Sequence, residues 1–368
     1  MNISNFTERV LANWREHVPS VPTLNSIELK SLHHAFESKD REALQNLFGR
    51  GSSIGLVTAR ALFDPIDLNR LIDSGLLYEE NHGITSQFQF QRYHSLLLLS
   101  DFLRWESDPE FVLPVGPAGN YLALLTIRRR VESALDLGCG CGVQALLAAR
   151  HSRYVVATDI NSRALALTRF NAELNDIHNI ETRPGSYFEP VRDQGFDLIV
   201  ANLPYVITPE KRLVYRTVDQ LGDAAILELL NEIPGYLNED GFAQILINWI
   251  HRANQEPSQP IQQSIQNRNV DAWLIHNGSK APDEYAEMWL KSDSKKYKTT
   301  KKDWVNWYHR NHIERIALGA VALRYRGNAQ NWLRSVTINE TLTEPAGDEI
   351  LRSFAAQDAL KQPEFMAA

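Results

Sequence analysis

The sequence predicts an α/β protein, an open parallel sheet with helices on both faces, preceded by a small domain of helices and a hairpin. Three observations carry this expectation. The apolar run Ala134-Leu135-Asp136-Leu137 stops at Gly138, and glycines then recur on alternate positions through Gly142 before the helical-looking residues 143–149. From Asn120 onward strand-like and helix-like segments alternate, the pattern of an open parallel sheet. Upstream, helical segments are followed by a helix, a strand, a turn and a strand.

Composition bounds the rest. A chain of 368 residues with 43% hydrophobic and 23% charged content can bury an extensive core, as two domains or as one large domain with additions. A formal charge of −7 and a pI near 5.9 argue against wholesale electrostatic capture of nucleic acid, while leaving room for a local basic groove. The only cysteines, Cys139 and Cys141, lie within the glycine run and fit neither a disulfide framework nor the usual zinc spacings, so they read as small loop residues and no metal is expected. The amino terminus has no basic segment followed by an apolar one. The longest apolar run, near 96–99, is far too short to cross a bilayer, so the expectation is a cytoplasmic protein with no membrane partner. Oligomeric state is left open.

In residues 1–112, Phe6, Val10, Leu11, Trp14 and Val18 recur at helical spacing, as do Leu29, Leu32 and Phe36 after a cap placed at Ser26. A helix over 67–74 closes at Gly75. Residues 77–80, the turn Asn81-His82-Gly83 and a run alternating Phe88 and Phe90 with glutamines then read as strand, turn and strand. This order suits a winged-helix-like module. Its candidate recognition helix holds two acids, Asp67 and Asp73, against one base, Arg70, which favours a structural or substrate-binding role over DNA reading. The proline-bearing stretch 107–117 marks the crossing into a second domain, 113–340, followed by a tail, 341–368. Strands are expected at 133–137, 154–158, 180–183, 196–201, 242–248 and 272–276, with a last, antiparallel one at 316–324. Helices are expected at 143–151, 162–173, 223–236 and 257–268.

Glycines on alternate positions after a strand remove the Cβ atoms that keep a ligand from the backbone, and the helix that follows offers unpaired amides. The spacing Gly138-x-Gly140-x-Gly142, with Asp136 ahead of it, differs from Gly-x-Gly-x-x-Gly and disfavours a diphosphate cradle. Over roughly residues 115–250 the chain resembles class I methyltransferases that use S-adenosylmethionine (SAM), with a Rossmann-like sheet. The resemblance continues at Asp159, at the end of the second strand, where this family's acid accepts hydrogen bonds from both ribose hydroxyls. It implies a cofactor site built from Asp136, Gly138, Gly140, Gly142, Asp159, Ile160, Ser186, Tyr187 and Asn202. Ser186 stands where the family usually carries an acid for the adenine amino group, so a hydroxyl or backbone bond is expected there.

Residues 196–201 run into Asn202-Leu203-Pro204-Tyr205, at the strand edge where open α/β sheets bind ligands. The tetrapeptide resembles the Asn-Pro-Pro-Tyr motif of methyltransferases acting on exocyclic or amide nitrogen, and its flanks resemble the release-factor glutamine methyltransferase group. A planar NH2 is a poor nucleophile. The Asn202 side-chain oxygen and the Leu203 carbonyl can accept its two hydrogens and aim its lone pair, and such alignment supplies about 7–11 kcal/mol of a barrier. Pro204 fixes the turn, and Tyr205 can stack on the acceptor.

Residues 277–315 read as a helical insertion at the site's mouth. Trp304, Trp307 and Tyr308 have the spacing of a helix packed on the core, and Lys280, Lys291, Lys295, Lys296, Lys298, Lys301 and Lys302 that of a solvated charged face. His309 and His312 lack a matching carboxylate for a metal. The loop 206–222, with Lys211, Arg212, Tyr215, Arg216 and Asp219, is the first choice for recognising the acceptor. The functional expectation is a SAM-dependent N-methyltransferase acting on a small molecule, peptide or protein. A nucleobase methyltransferase on RNA or DNA is the alternative, and a SAM-binding winged-helix regulator without turnover is a third reading.

Overall fold

The computed structural model describes residues 20–38, 40–80, 82–103, 108–209, 223–290, 296–327, 331–338 and 341–360. The helix expected over 6–18, the residues Lys211, Arg212, Tyr215, Arg216 and Asp219, Lys291, Lys295 and the end of the tail lie outside them. In chain order the strands are β1 (Ile54–Gly55), β2 (Leu77–Glu80), β3 (Gly83–Ser86), β4 (Phe88–Tyr93), β5 (Leu96–Asp101), β6 (Val131–Leu137), β7 (Ser152–Asp159), β8 (Ile180–Pro184), β9 (Phe196–Ala201), β10 (Leu237–His251), β11 (Val270–Lys280), β12 (Arg315–Tyr325) and β13 (Leu333–Thr337). The described residues form two compact units that interleave in sequence. One takes in the described residues up to Pro117 with Gly138–Arg150 and Tyr154–Pro190; the other takes in Ala118–Leu137, His151–Arg153 and the described residues from Val191 on.

In the first unit, helix Ser26–Ser38 is capped by Asn25 rather than by Ser26. The Asn25 side chain accepts the N–H groups of Ile27 and Glu28, each at 3.0 Å, and the Glu28 carboxylate accepts the Asn25 N–H at 2.7 Å. This reciprocal box satisfies orphan donors of the first turn, which moves Ser26 into the helix. Helix Leu68–Asp73 is shorter than expected because Asp67 is its cap, accepting the Asn69 N–H, and Ser74 is its C-terminal cap before Gly75 at φ +82°. Arg70, the one base on that helix, is spent internally: its guanidinium donates to Glu28 at 2.8 Å and to the Thr23 carbonyl at 2.7 Å.

Strands β1, β3 and β2 form a three-stranded antiparallel sheet against these helices, the helix and hairpin arrangement the sequence predicts. The pairing differs in one respect. Residues 77–80 pair with 83–86, and the Phe88/Phe90 run instead opens a second hairpin, β4–β5. The Ser86 hydroxyl makes the break, donating to the Leu76 carbonyl and accepting the Phe88 N–H. The apolar run near 96–99 is therefore strand β5, in which every residue is buried.

Strand β5 docks on helix Ser162–Leu174 through side chains that imitate a neighbouring strand. Asn171 Oδ1 accepts the Leu99 N–H at 2.7 Å and its Nδ2 donates to the Leu99 carbonyl at 2.9 Å; Asn175 does the same for Leu97 at 2.9 and 2.8 Å. These bonds complete the edge of a buried strand, whose backbone groups would otherwise be orphaned. The buried pair Arg163–Asp101 closes the end of the same strand. Strands β7 and β8 run parallel, with Asp159 opposite Pro184 at their carboxyl ends.

In the second unit the strand order is β13-β11-β12-β10-β9-β6. Strands β6, β9 and β10 are parallel, β12 is antiparallel to both β10 and β11, and β13 is parallel to β11. The antiparallel strand expected near 316–324 is present, but it is not the last: β13 follows and forms the sheet edge. Between β11 and β12 the insertion is helical, as Pro282–Trp289 and Tyr297–Arg310. Alternating strands and helices with this parallel pairing make the fold α/β and Rossmann-like. Among the described residues no helix is long and apolar enough to cross a membrane.

Candidate functional site

In the first unit the glycine loop turns out of the sheet and starts helix Val143–Ala148. The N–H groups of Gly138 and Cys139 both donate to the Thr158 carbonyl at 2.9 Å, which anchors the loop beside the end of β7. From below, the loop is held by helix Ser162–Leu174: Thr168 Oγ1 donates to the Gly140 carbonyl at 3.1 Å and Asn171 Nδ2 to the Cys141 carbonyl at 2.8 Å. Cys139 and Cys141 are buried and free of disulfide, as small loop residues are expected to be. Gly138, Gly140 and Gly142 all take the left-handed backbone that favours glycine. Gly142 has φ +84°, and a Cβ there would stand 2.9 Å from the Thr168 side chain. Gly140 has φ +54°, yet a Cβ there would meet nothing within 4 Å, so its exposed face is open to a ligand.

Asp159 faces this loop. Its Oδ2 accepts the Gly140 N–H at 3.0 Å and its Oδ1 accepts the Asn161 N–H at 2.9 Å. Asn161, not Asp159, caps the following helix by accepting the Arg163 N–H. Burial pushes the Asp159 carboxyl above the usual range, and the N–H groups of Asn161, Gly140 and Ile160 pull it partly back. Three of the carboxylate's roughly four lone-pair sites face these N–H groups, so a pair of hydroxyls would take the remaining site and the one facing Ile160. An open glycine face next to a half-buried carboxylate fits the glycosyl end of SAM. Ile160 is exposed beside it, and Ser186 and Tyr187, both exposed, follow Pro184, the residue opposite Asp159.

Asn171 serves two structures at once, the carbonyl of Cys141 and both backbone groups of Leu99. Asn171→Ala strands these buried groups at about 1–3 kcal/mol each, so a lower unfolding midpoint and weaker SAM binding are expected together. Thermal unfolding and calorimetry on the same variant check this.

In the second unit Asp136 is buried in β6, opposite Val200 of β9, and Leu137 is opposite Ala201. Gly138 is the next residue after Leu137 and Asn202 the next after Ala201, so both loops leave adjacent parallel strands at the same end. Asn202, Leu203, Pro204 and Tyr205 are half-buried and lie outside regular structure. The Tyr205 ring meets Trp289 edge-on with centroids 6.2 Å apart, and burial pushes its hydroxyl up to about 12.

Behind Tyr205 lies a core cluster of Val206, Ile207, Ile250, Tyr285, Trp304, Tyr308 and neighbours. Trp304 and Tyr308 are buried there and Trp307 packs against it, the packing role that helical spacing predicts. Lys301 pairs with Asp283 and Glu287 on the outer face of the insertion. Among the described residues no group of three or more His, Cys, Asp or Glu side chains has the geometry to hold a metal ion. Asn171, Asn248, Tyr285 and the ion pair Arg163–Asp101 are absent from the sequence reading. They leave no local signal, because each finds its polar partner far along the chain.

Residues 118–270 match the methyltransferase small domain family. The release factor glutamine methyltransferase of Aliivibrio fischeri is 40% identical over 88 residues, which is 23% of this chain and 31% of that protein. The ribosomal protein L11 methyltransferase of Lactobacillus johnsonii is 29% identical over 174 residues, 41% of this chain and 49% of that protein. The chain thus spans a third to a half of the length of these curated relatives. The solved ribosomal protein L11 methylase of Lactobacillus delbrueckii subsp. bulgaricus aligns over 60% of this chain and 83% of its own, at 22% identity and a TM-score of 0.35. Residues 118–270 are therefore similar to the methyltransferase small domain family, and SAM is the cofactor to which this similarity points.

Proposed function

We propose that the protein is a cytoplasmic N-methyltransferase that modifies an amide or amino nitrogen of a protein or peptide. The observation that carries this reading is the register of β6 and β9, whose parallel pairing through Leu137 and Ala201 sends the cofactor loop and the Asn202-Leu203-Pro204-Tyr205 loop off the same strand end. The relatives named for release factor glutamine and for ribosomal protein L11 support a protein acceptor, and a component of translation favours a cytoplasmic one.

When bound, SAM supplies an electrophilic methyl group on a sulfonium. The chain's own part is orientation. Gly138, Gly140 and Gly142 admit the cofactor, and Asp159 holds its ribose, with Ile160, Ser186 and Tyr187 flanking the adenine. Asn202 Oδ1 and the Leu203 carbonyl accept the two hydrogens of the acceptor NH2, which leaves its lone pair directed at the methyl carbon. Pro204 fixes the carbonyl's direction. Tyr205 covers the acceptor plane, and its hydroxyl, pushed up to about 12, stays neutral near pH 7 and is no base. The surplus proton leaves to water after transfer, so no strong base is needed beforehand.

The test is incubation of the full chain with methyl-labelled SAM and a fractionated host extract. Label that survives nuclease and is lost on protease treatment is expected. Label lost on nuclease treatment would overturn the protein reading in favour of a nucleobase acceptor.

A further inference from the structure

Both polar backbone groups of Ile207 are held by side chains of the helical insertion. The Ile207 N–H donates to Tyr285 Oη at 3.1 Å, and Tyr308 Oη donates to the Ile207 carbonyl at 2.8 Å. Asn248 Nδ2, on β10, donates to the same Tyr285 oxygen at 2.7 Å. All four residues are buried, with Tyr285 and Tyr308 fully so. Burial raises the pKa of both phenols, which keeps them neutral hydroxyls.

Ile207 belongs to neither helix nor strand, so no repeating ladder fixes it. Its partners instead come from residues 78 and 101 positions further along the chain. Ile207 is three residues beyond Pro204, and the intervening Tyr205 and Val206 pack into the same cluster as the two clamping tyrosines. The tetrapeptide 202–205 is thus tethered at both ends: by the paired end of β9 before it and by Ile207 after it.

We propose that Tyr285 and Tyr308 are positioning residues for methyl transfer, which pin Ile207 and thereby fix the path of residues 202–205. The proposal rests on the reading of 202–205 as the acceptor motif. Under it, the insertion does more than flank the site: it sets the aim of the Asn202 oxygen and the Leu203 carbonyl. Tyr308→Phe keeps the ring's packing and removes the partner of the Ile207 carbonyl. Tyr285→Phe likewise keeps the ring and removes the partner of the Ile207 N–H.

The test uses the full chain and three measurements on wild type, Tyr285→Phe and Tyr308→Phe. Amide hydrogen exchange across 202–208 is expected to rise about tenfold in each variant, with β9 unchanged. The Kd for SAM by calorimetry is expected to stay within about twofold, while kcat toward the labelled acceptor fraction falls roughly 10- to 100-fold, the scale of a small misalignment. A third variant separates positioning from stability. Tyr285→Phe with Asn248→Leu removes both polar partners of that pair and leaves only the Ile207 N–H unpaired, so unfolding stability is expected to recover in part while kcat stays low.

Wild-type exchange across 202–208 in both single variants overturns the proposal, as does raised exchange with unchanged kcat, or recovery of kcat in step with stability. If wild type transfers no methyl group to any fraction, the acceptor reading itself fails and the proposal falls with it. The wild-type control tells that outcome apart from the others.

Discussion

Asn202→Ala is expected to bind SAM with a Kd close to that of wild type and to lose methyl transfer by roughly 10²- to 10³-fold, the scale of removing one fixed polar group from a reaction centre. The asymmetry follows from where the side chain acts. Asn202 opens the loop after β9, whereas the glycine loop follows β6, Asp159 ends β7, and the two make their own hydrogen bonds. Alanine deletes an acceptor of the substrate's N–H without touching those bonds. The remaining acceptor, the Leu203 carbonyl, can hold one hydrogen but cannot by itself set the plane of the NH2. The loss should therefore appear in kcat, with the KM for SAM little changed. Calorimetry with SAM beside a turnover assay decides it; full activity in this variant would end the acceptor role of the tetrapeptide.

For Asp159→Ala the order of effects reverses, with SAM binding weakened roughly 100-fold or more. Two hydroxyl bonds to a carboxylate are worth about 1.5–3 kcal/mol each, and a factor of ten costs 1.4 kcal/mol, roughly. The variant also frees the Gly140 and Asn161 N–H groups, which loosens the loop the cofactor rests on. Asp159→Asn, which keeps one oxygen acceptor, should fall between the two. A Kd unchanged in Asp159→Ala would remove this residue from the cofactor site.

The same carboxyl makes SAM affinity depend on pH. Burial raises its pKa, so the ionised form that holds the ribose is lost, as pH falls, sooner than for an ordinary aspartate. The effect on folding has the opposite sign. A carboxyl whose folded pKa is raised contributes stability that is fully present below its unfolded pKa and disappears as pH rises through the folded one. Acidification through that window should therefore weaken SAM binding while adding to the stability of the ligand-free protein. A Kd titration of wild type against Asp159→Asn checks it, since the variant's curve should be flat where the wild type's bends.

Features that depend on residues close together in the chain can be read from the order of amino acids alone. Glycines at 138, 140 and 142 after an apolar run specify a strand, a tight loop and a helix, because only glycine adopts the backbone that Gly142 shows against Thr168. Asp159 and the tetrapeptide at 202–205 stand out in the sequence for the same reason: one ends a recognisable strand and the other follows directly on one. The three-stranded sheet of the first unit was legible in kind but not in pairing, since Ser86 redirects the chain between two hairpins through bonds to Leu76 and Phe88.

How these pieces are held depends instead on contacts between residues far apart in the chain. Asn171 looks like any polar residue in a helix, yet it closes the edge of β5 and supports the glycine loop. Tyr308 carries the spacing of a core aromatic and Tyr285 gives no such signal, yet both rings are core, and their hydroxyls reach a backbone 101 and 78 residues away. Periodicity reports which face of an element is apolar, because burial acts on every residue of that face. It says nothing about where one buried hydroxyl or carboxamide finds its partner, since that depends on which distant backbone group the packing leaves unpaired.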